Sequence, residues 1–114
     1  MRHYRGIRDL DGCHVHYRDD DGPWTPLPPR SDLVNHSPDG FEWGYGGSGP
    51  AQLALALCAD AIGDEVAAVR LHQDFKARVV AALPRGEWGL TIEDVLHYCE
   101  RIGREQLDRA MGRL

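Results

Sequence analysis

Hydrophobic and polar residues follow different patterns in the two halves of the chain. In residues 51–114 the apolar positions recur every three or four residues, which is the period of an α-helix. Residues 1–50 instead contain short alternating runs and six of the seven prolines, a pattern that favours strands and loops. We therefore predict an α+β fold in which a short N-terminal antiparallel β-hairpin or small sheet packs on three C-terminal helices. A length of 114 residues predicts a single domain, 1–114, with a β- and loop-rich half and a helical half.

The N-terminal half predicts a hairpin followed by extended chain. Tyr4–Arg8 and Cys13–Arg18 are two short strands, and Asp11-Gly12 between them supplies the positive backbone φ that a tight turn needs. The proline-rich segment Trp24–Arg30 is expected to run extended across the surface. Leu33–Val34 is a candidate for a third short strand.

The first predicted helix is the most apolar segment of the chain. Ala51–Ile62 is apolar on nearly every side, so the helix has to be surrounded by protein and is placed centrally. Gly49 or Ser48 is the predicted cap, and Pro50 suits the first helical position because its missing N–H has no partner there. Gly63 is predicted to end the helix.

Two further helices follow, the second from about Asp64 to Leu83. The third opens with Thr91 as N-cap and Asp94 in a capping box, and Gly103 either breaks this helix or lets a neighbour approach closely. The buried stripe predicted for the second helix consists of Ala68, Leu71, Phe75, Val79 and Ala82. The stripe predicted for the third consists of Ile92, Leu96, Cys99, Gly103, Leu107, Ala110 and Leu114.

Charge and cysteine usage restrict the classes of partner and compartment. The net charge of −5 argues against free nucleic acid as a partner, because phosphate binding requires a basic face. Cys13, Cys58 and Cys99 form no C-x-x-C motif, and free thiols predict a reducing cytoplasm. No apolar run approaches the length of about 18 residues that a membrane span needs. Met1–Gly6 has no apolar core and predicts no secretory signal.

The least ordinary stretch lies directly before the first helix. Asn35–Leu57 reads N-H-S-P-D-G-F-E-W-G-Y-G-G-S-G-P-A-Q-L-A-L-A-L. This motif resembles a family of small uncharacterised prokaryotic proteins, a domain of unknown function, and the resemblance resumes at Leu71–Lys76, at Val79-Val80 and at Leu83-Pro84. It implies a shared fold unit without an established activity. Members of that family look like accessory genes, some of them on phages or plasmids.

The glycine-rich part of this stretch has two interpretations. Successive glycine N–H groups before a helix form a positive cradle, so a phosphate or nucleotide ligand is one candidate. The Walker pattern is absent, because Ala51-Gln52 stands where Lys-Ser is required. The favoured interpretation is architectural: the glycines let Trp43 and Tyr45 fold back over the apolar helix. The residues predicted for the ligand alternative are Gly46, Gly47, Ser48, Gly49, His72 and Lys76.

No catalytic constellation is recognisable, and we predict no catalytic residues and no cofactor. His14 and His16 are two apart on one strand face, but no spacing indicates a third ligand, so no metal site is predicted.

The leading functional hypothesis is a non-enzymatic protein–protein interaction module. Its expected partner is a protein or nucleoprotein complex, with no membrane involved, and one concrete form is an inhibitor of a bacterial defence complex of the anti-CRISPR kind. The alternative is a small phosphate- or nucleotide-ligand binder or enzyme that uses the Gly46–Gly49 loop. Trp, Tyr and Arg dominate binding hot spots, so the predicted partner contacts are Trp24, Trp43, Tyr45, Arg70 and Arg78.

Overall fold

A computed structural model describes residues 1–113, and it has one antiparallel sheet against three helices. The α+β fold class is confirmed. The strands are β1 (Arg2–Asp9), β2 (Gly12–Asp19), β3 (Thr25–Pro26) and β4 (Trp88–Thr91), in the sheet order β3-β2-β1-β4. The helices are α1 (Ser48–Ile62), α2 (Glu65–Arg78) and α3 (Ile92–Ala110), with one 3-10 turn at Val80–Ala82. None of these helices is both long enough and apolar enough to cross a membrane.

The first two strands form the predicted hairpin. Leu10 and Asp11 make a two-residue turn, and Gly12 carries the positive φ of 114°. The register places Tyr4 opposite Tyr17. Because successive side chains point to opposite faces of a sheet, this register gives the hairpin an inner face toward the helices and an outer face away from them.

Helix α1 occupies the centre of the molecule, as predicted. Every residue from Gly49 to Ala59 is buried, and α1 contacts both α2 and α3. Gly63 ends the helix in the left-handed conformation, with a φ of 72°, and its N–H donates to the carbonyl of Ala59. A helix without a polar side is stable here because other elements surround it.

The indole of Trp43 is part of the hydrophobic core. It is fully buried, and its Nε1–H donates to the carbonyls of Arg85 and Gly86 at 3.1 and 2.9 Å. Its ring meets Trp88 edge-on, with centroids 5.7 Å apart. A Cβ at Gly6 would lie 2.2 Å from Nε1 of Trp88, so this inner position of β1 tolerates only glycine.

Two details of the predicted sheet are wrong. Leu33–Val34 is not a strand, since residues 31–33 form a turn in which the N–H of Leu33 donates to the carbonyl of Arg30. The third strand is Thr25–Pro26, inside the segment predicted to be extended. The fourth strand, Trp88–Thr91, was not predicted, because its partner β1 lies more than 80 positions earlier in the chain and four residues carry little local pattern.

The ends of the first two helices also differ from prediction. Helix α1 begins at Ser48 after Gly47, whose backbone alone caps it, so Pro50 is not its first residue. Helix α2 ends at Arg78 instead of Leu83, and a 3-10 turn follows. The carbonyl of Val80 accepts a hydrogen bond from the N–H of Gly44. The residues after α2 therefore contact the glycine-rich loop instead of continuing the helix. Ala82, predicted to be buried, is exposed.

Helix α3 starts as predicted but buries a different face. The Thr91–Asp94 capping box is present, and Gly103 does not break the helix. The buried residues are Val95, Cys99 and Ile102. The predicted stripe is therefore confirmed at Cys99 and wrong at Leu96, Leu107 and Ala110, which are exposed. Leu96 is 39% exposed and Leu107 is 55% exposed, while Leu114 lies outside the described residues. The apolar spacing of α3 fits two faces, and packing against α1 selects one of them.

Candidate binding site on the outer face of the sheet

Four basic side chains lie together on the outer face of the hairpin. The register pairs His3 with Arg18 and Arg5 with His16, directly across the two strands. Trp24 precedes the short strand β3, which borders β2. Their neighbours along the strands, such as the buried Tyr4 and Val15, point to the opposite, inner face. We call this group of five residues, His3, Arg5, His16, Arg18 and Trp24, the basic face.

Trp24 holds both arginines in place. The guanidinium carbon of Arg5 lies 4.1 Å from the centroid of the Trp24 ring, and that of Arg18 lies 4.6 Å from it. At these distances each cation is attracted to the negative face of the indole, typically by about 0.5–1 kcal/mol at an exposed site. One aromatic ring therefore keeps two like charges close together.

Neither of these arginines is neutralised by the part of the chain that the structure describes. Among residues 1–113, no carboxylate lies within ion-pair distance of the guanidinium group of Arg5 or Arg18, whereas Arg2 and Arg8 each bind at least one. The Nε atoms of Arg5 and Arg18 and the Nδ1 atom of His16 are buried and have no hydrogen-bond partner. Unpaired buried polar groups beside two like charges cost free energy, and an anion bound there would reduce that cost.

An open cavity beside the two arginines leaves space for such an anion. Its volume is about 230 Å³, and its walls are formed by the basic face without His16 on one side and by the junction of β4 with α3 on the other. Asp94 is the acidic residue in this wall, and its carboxylate accepts from the N–H of Thr91 at 2.9 Å. That carboxylate is thus engaged in capping α3. The cavity is large enough for one or two carboxylate groups.

His16 lies opposite Arg5 on β2 and is not among the residues that line the cavity. Burial, followed by the charges of Arg5 and His14, holds the pKa of His16 below its ordinary value. The imidazole is therefore neutral near pH 7 in the free protein. A bound anion would favour its protonated form.

The five residues predicted as partner contacts do not form one surface. Trp24 belongs to the basic face, whereas Trp43 is buried in the core and offers no contact area to a partner. Tyr45 is 41% exposed, next to the glycine-rich loop. Arg70 and Arg78 are exposed on α2, and Arg78 pairs with a glutamate of α3, Glu105.

Two of the three glycines of the alternative ligand site serve close packing, whereas a Cβ at Gly46 would meet no atom within 4 Å. A Cβ at Gly49 would lie 2.7 Å from the Cβ of Glu42, and one at Gly47 would lie 3.0 Å from the ring of Tyr45. The carboxylate of Glu42 pairs with Arg8 at 2.8 Å. A carboxylate-bearing side chain thus packs against the N-terminal turn of α1. Gly46 and Ser48 are exposed beside it.

His72 and Lys76, the other residues of that alternative, lie on α2. The Nδ1–H of His72 donates to the carbonyl of Val69, so its Nε2 accepts from Nε2 of His36 at 2.8 Å. Burial, then His72 and Lys76, lower the pKa of His36. Within the described chain, no hydrogen bond joins residues 46–49 to either His72 or Lys76.

Gln52 explains why the segment before α1 is ordered. Its side chain is fully buried, and its Oε1 accepts from the N–H groups of His36 and Ser37. Its Nε2 donates to the carbonyls of Pro29 and Val34. All four hydrogen-bonding positions of the amide are used, so this polar residue fastens the loop to the central helix.

His14 and His16 do not assemble a metal site in this structure. His14 lies 3.1 Å from the carboxylate of Asp9. Across residues 1–113, no three metal-ligating side chains come together.

Sequence reasoning missed the arginines and His3 as members of a site. The observed register pairs His3 with Arg18 and Arg5 with His16 because the two-residue turn is Leu10-Asp11. The predicted turn at Asp11-Gly12 is one residue later and would place Arg5 opposite Arg18 instead. The position of Trp24 beside them was not readable, because a two-residue strand with a proline carries almost no pattern.

Comparison with known proteins gives a family without a function. No curated protein and no solved structure matches the chain. One family model, described as a family of unknown function (DUF6166), matches residues 4–101. This range contains the basic face from Arg5 to Trp24, all three helices in whole or in part, and the glycine-rich loop. The chain belongs to the DUF6166 family.

Proposed function

We propose that the protein is a non-enzymatic interaction module that binds an acidic segment of a partner protein on the basic face. The observation that carries this proposal is the pair Arg5 and Arg18, held against Trp24 without a carboxylate partner among residues 1–113. Carboxylates pair with guanidinium groups through two parallel hydrogen bonds, which makes an acidic segment the matching ligand.

Two features favour an acidic protein over a nucleic acid. The chain carries a net charge of −5, so a polyanion such as DNA is repelled outside this small patch. The ring of Trp24 is also engaged by both guanidinium groups, which leaves it poorly placed to stack on a base. A short segment with a few carboxylates reaches the patch without facing the rest of the acidic surface.

The test is a calorimetric titration with a short polyglutamate peptide and, in parallel, an oligothymidylate of equal charge. We expect the peptide to bind more tightly, and the double variant R5Q/R18Q to weaken peptide binding by about tenfold or more. The matched control is R104Q, which removes an exposed arginine on α3 and should leave binding unchanged. No peptide binding by the unmodified chain, or tighter binding of the oligonucleotide, would overturn the proposal.

A narrower form concerns the identity of the partner. The resemblance of residues 35–57 to prokaryotic accessory proteins supports a partner within a bacterial defence complex, a protein or nucleoprotein assembly that this chain would inhibit like an anti-CRISPR protein. Three free thiols support a reducing cytoplasm as the compartment. Expression in a cell with an active defence system, followed by a phage-interference assay, tests this form. Interference that is unaltered by the chain would contradict it.

Ligand binding at Gly46–Gly49 is tested by a thermal-shift screen of nucleotides and phosphoesters. A ligand that binds the folded state raises the melting temperature. Because Glu42 packs directly against Gly49, we expect no shift. A shift that disappears in Gly47→Val would favour the ligand alternative.

A further inference from the structure

An apolar seam between α2 and α3 remains open to solvent. Leu96 and Leu107 of α3 are among the exposed large hydrophobic residues, and Gly103 and Ala110 lie on the same side of the helix. Two cavities, of about 450 and 330 Å³, follow this seam on the α2 side. This seam is separate from the basic face. We call Leu96, Glu100, Gly103, Leu107 and Ala110 the α3 seam.

The spacing of the α3 seam is that of a helix that packs along another helix. Its positions are separated alternately by four and three residues, as in the apolar positions of a coiled coil. If a second copy of α3 runs antiparallel, one register pairs four of the five seam positions with one another, while Ala110 falls opposite Glu93 of the second copy. Leu96 then faces Leu107 of the second copy, and Glu100 faces Gly103 of the second copy. The small Gly103 allows the two helices to approach closely.

The charges along the seam fit the same register. Arg70 of α2 lines the larger cavity together with Gly103 and Leu107, and no carboxylate of residues 1–113 is within ion-pair distance of it. In the antiparallel register, Glu100 of the second copy arrives opposite Gly103 and therefore next to Arg70. Among residues 1–113, the carboxylate of Glu100 pairs with Arg104, and this pair contributes little to stability because both side chains are mostly exposed. Two-fold symmetry forms this contact twice.

We propose that the α3 seam is a homodimer interface, in which α3 packs antiparallel on α3 of a second copy. Leucine layers form its two ends, and the glutamate–arginine contacts Glu100–Arg70 lie near the centre. Self-complementarity of both the apolar layers and the charges is what identifies a second copy as the occupant, because an unrelated helix has no reason to match both.

The first test measures the mass of the protein in solution by sedimentation equilibrium over a range of concentrations. We expect a dimer for the unmodified chain and a monomer for L107E, which places a carboxylate against Leu96 of the second copy. The matched control is V66E, since Val66 is 75% exposed on α2 and lies outside the seam. A monomer up to about 1 mM for the unmodified chain, or equal dissociation by V66E, would overturn the proposal.

The second test is a charge swap that separates a specific contact from a general loss of structure. R70E and E100R should each weaken dimerisation by about tenfold. The combined variant R70E/E100R restores an opposite-charge contact between the copies and should recover most of the affinity. If the combined variant dimerises no better than the weaker single variant, the proposed register is wrong. Circular dichroism of every variant confirms that the helices are intact.

Discussion

The two faces of the hairpin handle charge in opposite ways. On the inner side, the guanidinium of Arg2 binds the carboxylates of Asp19 and Asp60, and the phenol of Tyr4 donates to the same Asp60 at 2.5 Å. These bonds fasten the sheet to the C-terminal part of α1. The charges of the inner face are thus satisfied by the fold itself.

On the outer face two arginines have no carboxylate partner among residues 1–113. Arg5 and Arg18 rest against Trp24, and their Nε atoms are buried without a partner. Trp88 Nε1 and Gln106 Oε1 are also buried without a partner. The support for the proposed binding is therefore the pair of arginines on one ring, together with the open cavity beside them. Because side chains alternate along a β-strand, Arg2, which pairs within the fold, lies on one face of the hairpin. Arg5 and Arg18, which we propose bind a ligand, lie on the other face.

The largest contrast between the faces concerns two glycines of adjacent strands. A Cβ at Gly6, on the inner face, would lie 2.2 Å from the indole of Trp88, whereas one at Gly89, on the outer face, would approach only the carbonyl of Tyr4, at 3.8 Å. We expect Gly6→Ala to cost about 3 kcal/mol or more of unfolding free energy and Gly89→Ala less than about 1 kcal/mol. Urea denaturation measures both, and equal losses would contradict this assignment of the faces.

The next contrast concerns a buried hydroxyl. Burial, followed by the hydrogen bond to Asp60, raises the pKa of the Tyr4 hydroxyl. This hydrogen bond joins β1 to α1. Tyr4→Phe removes the donor and leaves the Asp60 carboxylate with Arg2 alone, so we expect a loss of about 1–3 kcal/mol by thermal or urea unfolding. Tyr98→Phe, on the exposed side of α3, is the control and should have no measurable effect.

Substitution of one arginine on each face of the hairpin tests the difference between the faces. Arg2→Gln removes the partner of two carboxylates and should lower the unfolding free energy by about 1 kcal/mol, a small value because the pair is partly solvated. Arg18→Gln removes one of two neighbouring like charges and should leave stability within about 0.5 kcal/mol. Peptide affinity should respond in the reverse order. A stability loss at Arg18 equal to that at Arg2 would show that the outer face also serves folding.

The smallest expected effect is a pH dependence from His16. Its pKa is lowered in the folded state, so below the ordinary value of about 6.5 the unfolded chain binds more protons than the folded one, and stability falls as the pH falls. Binding should show the opposite sign, because a bound carboxylate favours protonated His16, and polyglutamate affinity should rise over the same range. His16→Asn should flatten both profiles. An affinity that rises equally in His16→Asn would place the titrating group elsewhere.

Local signals were sufficient for several elements. Asp11-Gly12 marked the hairpin turn, Gly63 marked the end of α1, and Thr91 with Asp94 marked the start of α3. Each of these signals acts through a backbone conformation or a hydrogen bond within a few residues, so no knowledge of the rest of the chain is required.

The α3 stripe shows where local signals fail. Leu96 and Leu107 have the spacing of a core, yet the buried face contains Val95 and Ile102. A helix with two apolar faces has no internal reason to bury one over the other. Contact with α1 decides between them, and the remaining face is the one for which we propose a second copy of the chain.

The amino-acid sequence by itself determined the fold class, the central position of α1 and the main turns and caps, because period, propensity and capping act over short distances. Tertiary structure alone decided which cations stay unpaired. Arg2 and Arg5 are three residues apart on one strand and point to opposite faces, so Arg2 meets Asp19 of β2 and Asp60 of α1, whereas Arg5 meets no carboxylate among residues 1–113. Whether two charges pair depends on their distance in the folded structure, and this distance cannot be read from their positions in the sequence.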